Sequence, residues 1–377
     1  MKKVLSLLTV SAMAVSMLAG CGSSTTATTA AATTAAAAET TAAATTAAPA
    51  ATTAAAAATT AAAATADADL SGKKVGVCIY QFSDNFMTLF RNELQSYLES
   101  KGFKAENIEI VDGANDQATQ TNQIQNFITE GVDVLIINPV NSSSAATITD
   151  MVTAANIPLV YINREPDKDE EKRWEDKKMA VTYVGCDARQ SGTFQGEMIA
   201  DLGIDKIDFN KNGMVDYVMI EGDPENVDAQ YRTEFSIKAL EEKGLKVNKL
   251  DDQVANWDQS QAQEKVASAL AAHPDTEVVF CNNDAMALGA LQSIQAANRT
   301  VGKDIYLVGV DALSEACEDV LAGTMTGTVF NDHISQSHSA ADAAISFISG
   351  KGNDYYIGCD YVKVTKDNAQ SILDSLK

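Results

Sequence analysis

Seven short apolar runs recur along the chain, at residues 75–80, 132–138, 157–162, 215–220, 278–281, 305–310 and 326–330. Each is rich in β-branched or aromatic residues and about one strand long. Segments of helical period lie between them: Ile124, Phe127 and Ile128 share one face, as do Phe235, Ala239 and Leu240. Gly102, Gly131 and Gly244 stand where such helices would end, glycine being the usual residue just past a helix C-terminus. The alternation predicts an α/β chain whose parallel sheets carry helices on both faces.

The residues after each run are polar in a consistent way. They are Asp84, Asn85 and Phe86; Asn138; Asn163 and Arg164; Glu221, Asp223, Asn226, Asp228 and Arg232; Asn282, Asn283 and Asp284; Asp311; and Asn331 with Asp332. A single Asn at a strand end is most simply a cap or turn residue. Seven such ends, in a sheet type that binds ligands beyond the carboxyl ends of its strands, point to a polar, polyhydroxylated ligand. Asn offers donor and acceptor, carboxylates accept, and Arg donates in a fixed fork.

The chain has 377 residues and a formal net charge of -23. That balance argues against a nucleic-acid partner, which requires a basic face. Lys2 and Lys3 precede an apolar stretch from Val4 to about Leu18, the form of a secretory signal. Leu18-Ala19-Gly20-Cys21 closes it and resembles a bacterial lipobox, which implies a signal peptide over 1–20 and lipid on Cys21. Between Thr25 and Ala66, all residues but Glu39 and Pro49 are Ala or Thr. Such a segment lacks the large apolar side chains of a core, so 21–70 is expected to be a linker. The 307 residues from Ser71 onward are enough for two lobes.

Several chemistries lack their signatures. There is no GxGxxG after the first strand, no GxxxxGK[ST] and no GxSxG. His273, His333 and His338 are each expected to be lone surface histidines. Cys78 and Cys281 lie within apolar runs and are expected to be buried. The globular part has five cysteines and no CxxC, and neither a disulfide framework nor a cysteine metal site is expected.

Segments from about Lys73 onward resemble the periplasmic galactose/glucose-binding protein family, the sugar receptors of ABC importers. They include Asp84-Asn85-Phe86-Met87, Asn163-Arg164-Glu165-Pro166, Cys281-Asn282-Asn283-Asp284-Ala285-Met286-Ala287, Gly309-Val310-Asp311-Ala312-Leu313 and Val329-Phe330-Asn331-Asp332. The resemblance implies the type I periplasmic binding protein fold: two Rossmann-like lobes with parallel sheets, joined by a three-segment hinge. The N-terminal lobe would span 72–184 and 334–360, and the C-terminal lobe 187–331 and 362–377. It implies a sugar site of Asp84 and Asn163 from one lobe and Asn226, Asp228, Arg232, Asn283, Asp311 and Asn331 from the other. Phe86 and Trp257 would stack on the two faces of the pyranose. At 226 this chain has Asn where the family has His.

Residues 208–216, Asp-Phe-Asn-Lys-Asn-Gly-Met-Val-Asp, read like the first nine positions of a calcium loop. Asp208, Asn210, Asn212, the Met214 carbonyl and Asp216 fall at ligand positions, with Gly213 at the turn. Position 12 is Met219 rather than Glu. The family closes its loop with a distant Glu, which corresponds to Glu277 here, so the resemblance implies a structural calcium ion.

The function so implied is an exported, lipid-anchored receptor on the outer face of the cytoplasmic membrane. It would bind galactose or glucose, catalyse nothing and deliver the sugar to an ABC permease. Whether a chemoreceptor also reads the closed form is left open by the sequence, and a monomer is expected. Two rivals are a receptor for another monosaccharide such as xylose and a sugar-sensing regulator core. The signal peptide and the acidic charge oppose the regulator.

Overall fold

The protein is described by a computed structural model covering residues 69–376. The signal peptide, Cys21 and the Ala/Thr-rich segment through residue 68 lie outside the described residues. Two parallel sheets organise two lobes. The first lobe holds β1 (Val75–Ile79), β2 (Ile108–Asp112), β3 (Val134–Ile137), β4 (Leu159–Ile162) and β5 (Val181–Cys186). The second holds β6 (Val215–Glu221), β7 (Val247–Val254), β8 (Val278–Cys281), β9 (Tyr306–Val308) and β10 (Thr328–Phe330). Near the C-terminus, β11 (Tyr356–Cys359) returns to the first sheet and β12 (Val362–Val364) to the second lobe. The sheet orders are β11-β5-β4-β3-β1-β2 and β7-β6-β8-β9, with β12 antiparallel to β10.

Strand periodicity explains the layering. In the first sheet Val77, Ile79, Val134, Ile136, Val160 and Ile162 enter one core, while Cys78, Leu135, Ile137, Leu159 and Tyr161 enter the core on the other face. The second sheet divides likewise: Val218, Ile220, Val279 and Cys281 against Tyr217, Met219, Val278 and Phe280. Sheets buried on both faces need strands apolar at every position, which is why β3, β4 and β8 read as unbroken apolar runs. Gly131 caps helix Gln117–Glu130 at φ 66°, and Gly102 and Gly244 follow their helix caps at φ 106° and 81°.

The chain crosses between lobes three times. It crosses at 186–188, from β5 into helix Ala188–Ala200; at 330–333, from β10 into helix His333–Ile348; and at 359–362, from β11 to β12. The first of these helices packs on β10, β12 and helix Val227–Glu242; the second packs on helix Asn85–Ser100 and β3–β5. Among the described residues, no helix is long and apolar enough to cross a membrane.

Two expectations are corrected. His333 is buried at the start of its helix, edge-on to Phe86 with ring centroids 6.4 Å apart. His338 is not alone either: its ring stacks on Tyr97 at 3.7 Å, and Nε2 lies 2.6 Å from a Glu93 oxygen. Cys78 and Cys281 are buried, as are Cys186 and Cys317, and Cys359 is half-buried.

Candidate functional site

The carboxyl ends of both sheets face one cavity of about 310 Å³ between the lobes. Asp84, Phe86, Asn163, Asn226, Asp228, Arg232, Trp257, Asn283, Asp311 and Asn331 all line it. Tyr80, Met87 and Arg164 line it too.

Several of the strand-end residues also cap helices. Asp84 caps helix Asn85–Ser100 by accepting from the Met87 N–H at 2.7 Å, and its other oxygen accepts from the Tyr80 hydroxyl at 2.7 Å. Asn226 and Asn283 cap the next lobe's helices by accepting from the Asp228 and Met286 N–H groups, each at 2.9 Å. Capping explains why Asn and Asp recur after strands; it also locks those side chains at the cavity wall.

Arg232 and the acids around it form the polar centre. Arg232 donates from Nη1 to the Asn282 carbonyl at 2.9 Å and from Nη2 to the Tyr361 hydroxyl at 3.1 Å. Asp228 Oδ2 lies 3.7 Å from Nη2. Burial pushes the Asp228 carboxyl up to about 6, against the pull of Arg232. Burial also drives Asp311 well above the usual carboxylate range, again opposed by Arg232. Asp311 Oδ1 accepts from Asn331 Nδ2 at 3.2 Å, and Asn331 Oδ1 accepts from Gln336 Nε2 at 2.7 Å.

Behind this row, Asp284 is fully buried. Its oxygens accept from the Thr328 hydroxyl at 2.7 Å and the Leu313 N–H at 2.9 Å, which fixes the loop bearing Asp311. Burial raises its carboxyl to about 7. Asp311 itself has φ 123°, and Asn163 and Trp257 have φ 60° and 65°. Positive φ outside glycine costs of order 1–3 kcal/mol and gathers at ligand sites. Trp257 lies over Gly222, where a Cβ would come within 2.3 Å of the indole.

Four buried N–H groups at the cavity have no partner: Arg164 Nε and Nη2, Arg232 Nε and Trp257 Nε1. Sequence reasoning named Arg164 among the polar strand-end residues but not among the sugar contacts. Its guanidinium stacks on Tyr80 at 3.7 Å, donates to the Val140 carbonyl and lies 3.6 Å from Asp223 of the other lobe. Asn141 reaches across as well, donating to Glu225 at 3.1 Å. The signal for Arg164 was its place next to Asn163 at the end of β4. Gln336, on a helix rather than a strand end, carried none.

The loop at 208–216 lies apart from the cavity. Asp208 ends the short helix Ile204–Ile207, Gly213 turns the chain at φ 80°, and Asp216 is buried within β6. Glu277, buried ahead of β8, accepts from the Phe209 and Asp216 N–H groups at 2.6 and 3.0 Å, and burial raises its carboxyl. Asn210 and Asn212 both direct their amides at Asp216 Oδ2, at 2.5 and 2.7 Å. Among the described residues, no three His, Cys, Asp or Glu side chains gather as a metal cluster. The donor set is nevertheless all oxygen and suits a hard cation, since a half-turn of either Asn amide exchanges its nitrogen for its oxygen.

Comparison with known proteins follows the same lines. The periplasmic binding protein domain matches residues 75–352. The D-galactose/methyl-galactoside binding periplasmic protein of Haemophilus influenzae is 34% identical over 313 residues, covering 80% of this chain and 92% of that one. A rhizopine-binding protein of Rhizobium meliloti, its assignment provisional, is 32% identical, covering 78% and 90%. An ABC transporter solute binding protein from Bacillus halodurans, solved with bound myo-inositol, is 27% identical and superposes with a TM-score of 0.71, covering 81% and 99%. All three are binding proteins by name. The chain belongs to the periplasmic binding protein family and is a binding protein that catalyses no reaction.

Proposed function

We propose that the protein is the sugar-binding component of an ABC importer and that galactose, glucose or both fill the cleft. The observation that carries this reading is the set of unpartnered N–H groups on Arg164, Arg232 and Trp257, residues that line the same cavity as the buried carboxyls of Asp228 and Asp311. A buried donor without an acceptor costs about 1–3 kcal/mol, so the cavity calls for a ligand rich in oxygen that also donates. Sugar hydroxyls do both. Phe86 and Trp257 offer apolar rings for the C–H faces of a pyranose. Similarity to the galactose-binding relative favours the hexoses; Asn226, shorter than the family's His, leaves more room at that wall. Calorimetric titration with a monosaccharide panel tests the reading. Tightest binding of galactose or glucose supports it; no binding of either hexose, with binding of xylose or an inositol, replaces it.

In this reading the ligand-bound, closed form docks on a membrane permease. Membership of the family makes the chain an exported protein. Lipid on Cys21 would tether it through the Ala/Thr-rich linker; release of Cys21→Ser from the membrane fraction supports the anchor, and retention refutes it. Asp208, Asn210, Asn212, the Met214 carbonyl, Asp216 and Glu277 would hold one calcium ion that staples the 208–216 loop to β8.

A further inference from the structure

Two cysteines meet at the crossings between the lobes. Cys186 is the last residue of β5 and Cys359 the last of β11, and they are paired in register across the parallel strands. In-register neighbours in a sheet stand about 4.8 Å apart. A disulfide spans Cα separations of about 4.4–6.8 Å. Partners in register present their side chains on the same face, and each thiol is the largest influence on the other's acidity. The other cysteines among the described residues have no such neighbour: Cys78 stands opposite Val111 and Ile137, Cys281 opposite Ile220, and Cys317 lies in a helix.

We propose that Cys186 and Cys359 form a disulfide in the oxidising surroundings of an exported protein, a redox-sensitive staple across two of the three crossings between the lobes. The chain leaves β5 for the second lobe directly after Cys186, and leaves β11 for β12 directly after Cys359. A covalent link there binds together the two segments through which the lobes must bend. It also touches the ligand site, because Tyr361, two residues beyond Cys359, accepts from Arg232.

The partners divide the chemistry. Cys359 is half-buried, and Cys186 and then Ser339 hold its thiol below the ordinary value, though burial opposes them. It is the attacking thiolate. Cys186 is buried, and Cys359, then burial, raises its thiol; it is the resolving partner. The oxidant is a small-molecule disulfide such as oxidised glutathione. The Cys359 thiolate attacks one of its sulfurs, forming a mixed disulfide and expelling one thiolate. Cys186 gives up its proton and attacks the Cys359 sulfur, expelling the second. Two protein thiols lose two electrons, and the small disulfide is reduced to two thiols, which take up the protons. Partial exposure of Cys359 keeps the bridge open to reduction by the reverse route.

The experiment incubates the full-length protein with oxidised glutathione, alkylates it without reduction and maps linked peptides by mass spectrometry. The expected result is a peptide pair joining 186 and 359, loss of two titratable thiols, and recovery of both with dithiothreitol. Cys359→Ser, at the less buried position, should lose the pair while keeping its melting temperature. Amide exchange at 186–188 and 359–362 should slow on oxidation by about fivefold or more, the low end of ordinary coupling between sites, in wild type and not in Cys359→Ser. No 186–359 peptide, or a different pairing, overturns the bridge; a bridge with unchanged exchange at both crossings overturns the staple. Neither readout uses a sugar, so failure of the galactose/glucose reading is seen separately.

Discussion

Arg232 donates to the Tyr361 hydroxyl at 3.1 Å, tying a guanidinium of the cleft wall to the crossing between β11 and β12. The site and the segment that must bend when the lobes move therefore share a hydrogen bond. Removing that hydroxyl leaves Arg232 with the Asn282 carbonyl and the more distant Asp228. The donor is a charged guanidinium, and such a bond contributes about 1.5–3 kcal/mol, of which only the part that differs between the free and sugar-bound forms reaches the affinity. Tyr361→Phe is expected to weaken sugar binding by about two- to tenfold by calorimetry; unchanged affinity would show that the bond plays no part in binding.

Asp311 is the acceptor at the head of the Gln336–Asn331–Asp311 chain. Its loss strands the Asn331 amide and any sugar hydroxyl that donates to it. Hydrogen bonds to charged groups contribute about 1.5–3 kcal/mol. Asp311→Ala should weaken binding of the best sugar by roughly ten- to a hundredfold. Asp311→Asn, which keeps the shape, should fall between the variant and wild type. Wild-type affinity in a folded Asp311→Ala protein would move the ligand out of this cleft.

A Cβ added at Gly222 would come within 2.3 Å of the Trp257 indole. Overpacking typically costs about 1–3 kcal/mol. Gly222→Ala should lower the melting temperature and displace Trp257, so that the emission change on adding sugar shrinks. Trp174 is fully buried and stacked on Tyr161, away from the cleft, and should contribute little to that change. Trp257→Phe measures its share.

The 208–216 loop gives a prediction about metal. A ligand that binds only the folded state stabilises it by mass action. Chelator should lower the melting temperature of calcium-loaded wild type and have little effect on Glu277→Gln. A protein that melts alike with calcium and with chelator has no such site.

The buried acids make a prediction about pH. Asp228 and Asp284 hold their protons to about 6 and about 7 when folded, whereas an exposed Asp releases its proton near 3.9. Between these values the native chain binds more protons than the unfolded one. From these groups, stability therefore falls as pH rises from about 4 to about 7. Asp284→Asn should flatten the dependence of melting temperature on pH over that window; an unaltered slope would mean that Asp284 is ionised throughout.

The sequence disclosed strands that are buried along their length and hid those with exposed positions. β1, β3, β4, β6, β8, β9 and β10 fall within the seven apolar runs, because strands covered on both faces must be apolar throughout. β2 and β7 lie at sheet edges, and both mix charged with apolar residues, Ile-Glu-Ile-Val-Asp and Val-Asn-Lys-Leu-Asp-Asp-Gln-Val. β11 and β12 are short and half exposed. β5 is buried, but Thr182 and Gly185 interrupt its apolar pattern. The polar strand ends pointed to the cleft, but it was the resemblance to the sugar-receptor family that singled out the site residues among them and added Trp257, which follows none of the seven apolar runs. Arg164 was named at a strand end but not as a contact, and Asp284, Gln336 and Tyr361 act through other residues, a relation that no spacing records. The Cys186–Cys359 pairing needed the register of β11 on β5, which local pattern does not encode.

The positive φ angles at Asn163, Trp257 and Asp311 bear on attempts to retune this receptor for another sugar, for instance as a sensor. A mutagenesis library varies side chains and assumes that the backbone will accept them. At these three positions it will not accept them equally: β-branched residues tolerate left-handed backbone worst, and Asn and Asp tolerate it best among residues with a side chain. Many members of such a library would fail because the cleft wall no longer holds its shape, whatever their fit to the new ligand. Asn226 and Asn283 have ordinary extended backbones at φ -90° and -145°. Variation there tests recognition rather than the main chain, and 226 is already where this chain departs from its family.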